Sequence, residues 1–389
     1  MSALTLEYRA YQYLKHWKKL ENLDELKRLV KVEGSLFSHS YEKVESLCSL
    51  LSARKDGEDA FVHPLNVVYA LKGANITDEA TLTAGIMHDY IEEKVDLYQK
   101  SRGIRKTKKG IMQLDNYESR IMNRTEKELA ALCKAEGLPA ANGESVIEVL
   151  KLLTRHKRDF YYRSISNIFE CKDEKIKETA IQIKLSDRMH NVLSIENFNE
   201  EDRTYQCFKN LFILNNTKKY LLENPTERIS LTRDNPPTER LFKRNAKATH
   251  DAFLALCRFC YDQGIGEATS MLQLAFKKFA IEKEGVCAVT KPDENETHLM
   301  RLFHGVVRKY DAKLHHEWEK FRQMKEKELD FCRKFFVDLN LTDKQVKAVI
   351  DYKDAYALRE IITYLLYDPN FVISKFLSSD LTKDARIVT

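Results

Sequence analysis

The sequence predicts an all-α protein with two helical regions, and three observations carry that expectation. Only 12 glycines and 7 prolines occur in 389 residues, too few breaks for a strand-and-turn architecture. Apolar residues recur three or four apart, as in Leu4, Tyr8, Tyr11, Leu14, Trp17 and Leu20, which is the period of a helix face. Long stretches such as Glu174 to Leu193 contain no Pro or Gly at all. The length predicts about two to three domains. A hydrophobic content of 43% and a charged content of 32% suit an ordinary soluble chain. Lys and Arg exceed Asp and Glu by 64 to 59, a net charge of +5, so general nucleic-acid binding is not expected and an anionic partner must be recognised locally. Met1 to Arg9 has no apolar core behind a basic region, and no run of about 18 apolar residues occurs; neither a signal peptide nor a membrane span is expected, which predicts a cytoplasmic protein. The eight cysteines form no disulfide-like framework, and Cys257 and Cys260 lack a second pair, so buried thiols are expected.

Taken in order, residues 4 to 32 read as an amphipathic opening helix, and a second helix runs from Tyr41 to about Ala53. Arg54-Lys55-Asp56-Gly57-Glu58-Asp59 is a polar, Gly-containing turn that leaves two cations at the helix end. Pro64 suits the first position of the next helix, Leu65 to Lys72, and fixes His63 at its mouth. Asp78 is placed to cap a helix running through Thr81, Ala84 and Ile86 into His88-Asp89. Ile86 to Glu93 reads as one helical segment, on which His88 shares a face with Glu92, and Asp89 with Glu93. Between Asp96 and Asn142 the pattern is weaker, and Lys100, Arg102, Arg105, Lys106, Lys108 and Lys109 read as a solvated basic loop. Glu144 to Arg155 is a helix too apolar for a surface position, with a cationic end, Arg155-His156-Lys157-Arg158, that complements the helix dipole and leaves phosphate contact open as an alternative.

A Tyr-rich helix over Phe160 to Phe169 precedes the long helix Glu174 to Leu193, on which Asp187, Asn191 and Ser194 fall at i, i+4 and i+7 as one polar stripe. A helix over Asp202 to Glu223 closes this region. The segment 226–240 holds Pro236 and Pro237, follows Pro225, and reads as a linker between a domain over 1–225 and a helical C-terminal domain over 241–389. The latter includes a charged helix from Tyr310 to Phe336, with breaks near Gly264, Gly285, Pro292 and Pro369. Its histidines, His298, His304, His315 and His316, lack an acid spacing that suggests ligation, and its role, a protein partner included, is left open.

His63, His88, Asp89 and Asp187 together supply two imidazoles and two carboxylates from separated segments, a mixed set suited to manganese, iron or zinc. The matching stretches are Arg54-Lys55 ahead of His63-Pro64, then His88-Asp89 with Glu92-Glu93, Leu152-Leu153-Thr154, and Lys184-Leu185-Ser186-Asp187-Arg188-Met189-His190-Asn191. On these residues the sequence, over about 40–222, resembles the HD-domain phosphohydrolases, and within them the hydrolase domain of the RelA/SpoT family, including its small stand-alone alarmone hydrolases. The resemblance implies an HD-domain helical bundle with a manganese site at His63, His88, Asp89 and Asp187. It also implies a water-activating pair at Glu92 and Glu93, and nucleotide contacts from Arg54, Lys55 and Asn191, with Ser194 where the family commonly has Thr. The activity implied is removal of the 3′-pyrophosphate of ppGpp, pppGpp or an adenine analogue, the chemistry of the stringent response. Two features depart from the pattern. The family usually has Glu-Asp where this chain has Glu92-Glu93, and the basic segment near 100–109 has no counterpart. Synthetase motifs are absent after residue 225. The rival expectations are another HD-type hydrolase acting on deoxynucleoside triphosphates or monophosphates, and a nucleotide-sensing module acting through its C-terminal helices.

Overall fold

The computed structural model describes residues 19–54, 57–224, 235–260, 262–263 and 298–373, and among these the regular elements are helices, with no strand. Of the expected opening helix, only α1 (Leu23–Leu29) is described, started by the Asn22 side chain, which accepts the Glu25 N–H. The second helix, α2 (Ser35–Cys48), begins and ends earlier than its periodicity suggests. Helix α3 (Val62–Gly73) places Pro64 at its third position instead of its first, still within the turn whose N–H groups need no partner. Asp78 caps α4 (Glu79–Ile86) as expected, its carboxylate accepting the Thr81 N–H.

The expectation that α4 runs on through His88 is corrected. It stops at Ile86, Met87 to Asp89 form a turn, and α5 (Tyr90–Arg102) starts afresh with Asp89 at its N-cap. Gly85 stands one residue before the helix end, and no proline marks the break. It is set by the surroundings: Ile86 and Met87 are wholly buried, and the His88 ring turns back to bond the Gly85 carbonyl. Helix α5 ends at Gly103, whose φ of +60° favours glycine. The uncertain stretch that follows is largely the 28-residue α6 (Lys108–Ala135), which buries Leu114, Glu118, Met122, Thr125, Leu129 and Cys133 along one face. Then come α7 (Ala140–Leu153), α8 (Tyr161–Glu170), α9 (Glu174–Leu193) and α10 (Glu200–Glu223).

Beyond the proline-rich segment lie α11 (Pro237–Cys260), α12 (His298–Leu314), α13 (Trp318–Phe335) and α14 (Asp343–Tyr367). The single charged helix expected from Tyr310 to Phe336 is instead two, joined by a corner at His315 to Glu317 with His316 at φ +58°. The cause is again tertiary, since the His315 ring packs on Phe160 and Tyr162 of the preceding region. Pro369 lies just beyond α14, where it does interrupt the helical pattern, while Gly264, Gly285 and Pro292 lie outside the described residues.

Helix α9 is the axis of the molecule, packed against α3, α7 and α11. The expected division at 226–240 does not divide the core. Buried apolar side chains from Leu26 to Ile373 form one cluster, and α11 lies against both α9 and α10. The join is polar as well as apolar. Asn245 of α11 donates to the Leu185 carbonyl of α9 at 2.7 Å, and Asn210 of α10 donates to Thr249 of α11. Lys218 of α10 donates to the Leu365 and Asp368 carbonyls at 2.6 and 2.7 Å, satisfying the end of α14. Further out, Lys309 of α12, Glu328 of α13 and Lys353 and Asp354 of α14 form a buried set of paired charges, with Lys309 at 2.9 Å from Glu328. Such a set fixes how its helices meet more than it stabilises them. Among the described residues no helix is long and apolar enough to cross a membrane.

Candidate metal centre

Three segments deliver the central side chains. His63 comes from the first turn of α3, His88 from the turn after α4, and Asp187 from the last two turns of α9, all three buried. Their ligand atoms lie within 4.8 Å of one another. His63 Nε2 is 3.1 Å from His88 Nε2 and 3.4 Å from Asp187 Oδ1. Asp89, half-buried at the start of α5, adds Oδ2 at 3.0 Å from His88 Nε2 and 3.4 Å from His63 Nε2.

This donor set fits a divalent cation. The His88 Nδ1–H donates to the Gly85 carbonyl at 2.9 Å, which leaves Nε2 with its lone pair facing the cluster. The other imidazole presents its Nε2 to the same point. Two lone pairs facing each other repel unless a positive charge stands between them. Two nitrogens bound to one ion at about 2.1 Å sit roughly 3.0–3.4 Å apart, which matches the separation observed. The electrostatics point the same way. Burial resists charge on His88, yet Asp89 and Asp187 raise its pKa. Burial also opposes ionisation of the two acids, but Lys184 and the imidazoles hold Asp187 well below the usual carboxylate range, and His88 and His63 do the same for Asp89. The cluster is thus two carboxylates favouring a cation, from residue types suited to manganese, iron or zinc.

Around it sit groups to which the sequence reading assigned no role. Lys184, one turn before Asp187 on α9, bonds its Oδ2 at 2.8 Å. His190 Nδ1 is 3.0 Å from His63 Nδ1, and burial together with neighbouring His63 depresses its pKa well below the usual histidine value. A neutral His190 accepts the His63 Nδ1–H and so aims the His63 Nε2 lone pair inward. The i−3 and i+3 spacing from Asp187 was the available signal for both.

The remaining site residues divide by position. Asn191 donates to Asp187 Oδ1 at 2.9 Å and accepts a bond from Arg54 Nη2 at 3.4 Å, so those two are joined to the cluster. Ser194 caps the end of α9, buried, with a hydroxyl that finds no protein partner among the described residues. Lys55 lies outside the described residues. A cavity of about 320 Å³ opens beside the cluster, lined among others by Arg54, His63, Asp89, Glu93, Cys48 and Leu51. Of the two glutamates, Glu93 is the one that lines it, together with Asp89. Burial, followed by the charges of Asp89, Asp96 and Glu92, raises the Glu93 carboxyl to about 7. Glu92 instead points to the loop after α7, where its Oε1 accepts the Arg155 N–H at 2.7 Å, and burial and Asp89 raise its pKa too. As successive residues of α5, Glu92 and Glu93 leave the helix about 100° apart. The basic residues near 100–109 lie at the end of α5, in the loop and at the start of α6, and are exposed. Comparison with known protein families, with curated proteins and with solved structures finds no match to this chain.

Proposed function

We propose that the chain is a metal-dependent phosphohydrolase, built on an HD-type helical bundle, that removes the 3′-pyrophosphate of a guanosine or adenosine alarmone and does not synthesise it. The observation that carries this reading is the convergence of His63, His88, Asp89 and Asp187, with two imidazole Nε2 atoms 3.1 Å apart beside a cavity that holds an acid near neutrality. A divalent cation, with manganese the favoured ion, would supply a Lewis acid for a phosphoryl oxygen and acidify water. The chain's own residues do the rest. Glu93, with a carboxyl near 7, takes the proton from attacking water, since a base is most effective when its pKa is close to the working pH. Glu92 holds the loop that carries Arg155. Arg54, tied to Asn191, offers a planar cation on which a base stacks, and a cavity of about 320 Å³ lies within the range for small-molecule sites. Lys55 would meet phosphate as a point charge.

The test is incubation of purified protein and manganese with guanine and adenine alarmones and ordinary nucleotides, with products separated. Pyrophosphate released from a 3′ position is expected. Triphosphate or inorganic phosphate as product would assign the protein to another class of HD hydrolase, and tight nucleotide binding without turnover would make it a sensing module. Formation of ppGpp from ATP and GDP would overturn the absence of synthesis.

A further inference from the structure

The turn that brings Arg54 to the cavity is held from outside by the short segment leading into α1. The tether of Arg54 to Asn191 is long, 3.4 Å, so where its guanidinium lies depends on the backbone that carries it. That backbone is a tight turn. The Arg54 N–H donates to the Glu58 carbonyl and the Gly57 N–H to the Arg54 carbonyl, both at 2.9 Å, and Gly57 takes a φ of +82°, which favours glycine. Asp59 then accepts the Phe61 N–H at 2.8 Å, and α3 follows with His63 in its first turn.

Lys19 and Leu20 fasten this turn and α3 together. Lys19 Nζ lies 2.6 Å from Glu58 Oε1, with the two side chains 10% and 14% exposed, and 3.6 Å from the exposed Glu21. The pair with Glu58 is thus largely out of water, where removing one partner strands the other charge, unlike an ion pair at the surface. Leu20 is seated by Asn66 of α3, three residues past His63 and buried. The Asn66 side chain accepts the Leu20 N–H at 3.0 Å and donates to the Leu20 carbonyl at 2.8 Å, so it grips the backbone on both sides of one residue. Further along, Lys72 of α3 donates to the Leu29 and Lys31 carbonyls at 2.9 and 2.8 Å and ties the far end of α1 to the same helix. An unbroken series of contacts therefore runs from Lys19 through Glu58 to the Arg54 backbone. From the Arg54 guanidinium it continues through Asn191 to Asp187, whose Oδ1 accepts the Asn191 amide at 2.9 Å.

We propose that Lys19 is a positioning residue for nucleotide binding: its ion pair with Glu58, on a segment that Asn66 anchors to α3, fixes the turn that presents Arg54 to the cavity. Arg54 lines that cavity, and Lys19 acts on it only through the turn. Only the identity of the ligand, a nucleotide, rests on the hydrolase reading.

The experiment compares the full chain with Lys19→Met and Lys19→Arg. In protein freed of metal by a chelator, hydrogen exchange of the Arg54 and Gly57 amides, followed by mass spectrometry, should quicken about tenfold or more in Lys19→Met, while amides in the middle of α3 keep the parent rate. Lys19→Arg should exchange as the parent does. With manganese added, affinity for ppGpp is read as KM where it is cleaved and as a calorimetric Kd where it is only bound. It should weaken about fivefold or more in Lys19→Met with kcat and metal content unchanged, because Arg54 meets a part of the nucleotide away from the cleaved bond. Lys19→Arg should restore it. If Lys19→Met does not fold, Lys19→Met combined with Glu58→Gln, which strands no buried charge, is expected to give the same two changes. Unchanged exchange, exchange that quickens across α3 as well, or faster exchange at the turn with unchanged ppGpp affinity each overturns the proposal. Binding of ppGpp without cleavage overturns the hydrolase reading alone, since the loss of affinity in Lys19→Met still reads the positioning role. A parent protein that binds no nucleotide overturns both.

Discussion

Glu93 and Glu92 are neighbours in sequence with different surroundings, and a pH titration should tell them from the ligands. Burial and like charge raise the Glu93 carboxyl from 4.5 to about 7 in the folded chain. Between those two values the folded state binds more protons than the unfolded one, so stability is lost as pH rises through that window. Metal-free protein should therefore melt lower at pH 7.5 than at pH 5.5, and Glu93→Gln should flatten this dependence; an equally steep profile in the variant would place the titration elsewhere. If the cluster holds a metal, Asp187→Ala should lower metal content per folded molecule, because an ion there would be shared by Asp187 of α9 and imidazoles from two other segments. Folded Asp187→Ala protein with full metal would remove it from the site. Glu93→Gln should keep metal and turn over about a hundredfold or more slowly, the usual contribution of a general base. Glu92→Gln is expected to be the slower of the two only if Glu92, and not Glu93, handles the proton. Turnover of the two variants measured side by side decides between the acids.

Helices meet through buried polar contacts that periodicity cannot foresee. Asn210, Asn245 and Thr249 are wholly buried, and Asn245 reaches the Leu185 carbonyl two residues before Asp187. Replacing Asn245 with Ala removes that donor and leaves Asn210 short of a partner, at a cost of about 1–3 kcal/mol for each buried group left unpaired. Urea denaturation of Asn245→Ala should show a loss of that order, together with weaker metal binding if the Leu185 contact steadies the ligand-bearing end of α9. An unchanged midpoint would mean that water or a rotated amide replaces the contact.

At the scale of the molecule, α9 serves two structures at once, the ligand cluster on one side and the packing face of α11 on another. The proline-rich segment leads the sequence reading to expect a fragment ending at residue 225 to fold and bind metal alone. With the core continuous, that fragment loses α11 from α9 and α10 and α14 from α10, and Phe208, wholly buried, loses its ring contact with Tyr310 of α12. The fragment should be aggregated or poorly folded, and the full chain should unfold in a single calorimetric transition. A soluble, metal-binding 1–225 fragment, or two separate transitions in the full chain, would restore the two-domain division.

Helical class, the span of α9 and the cap at Asp78 were legible because they depend on local spacing and composition, which a linear chain carries in full. Candidate ligands were legible too, since His63, His88, Asp89 and Asp187 stand out as residue types in short segments. Their convergence was not a matter of spacing. The turn at His88, the corner at His316 and the seating of α11 on α9 are not set by local spacing. They are set by which buried surfaces and polar groups find partners across the fold, and only the tertiary structure decides that.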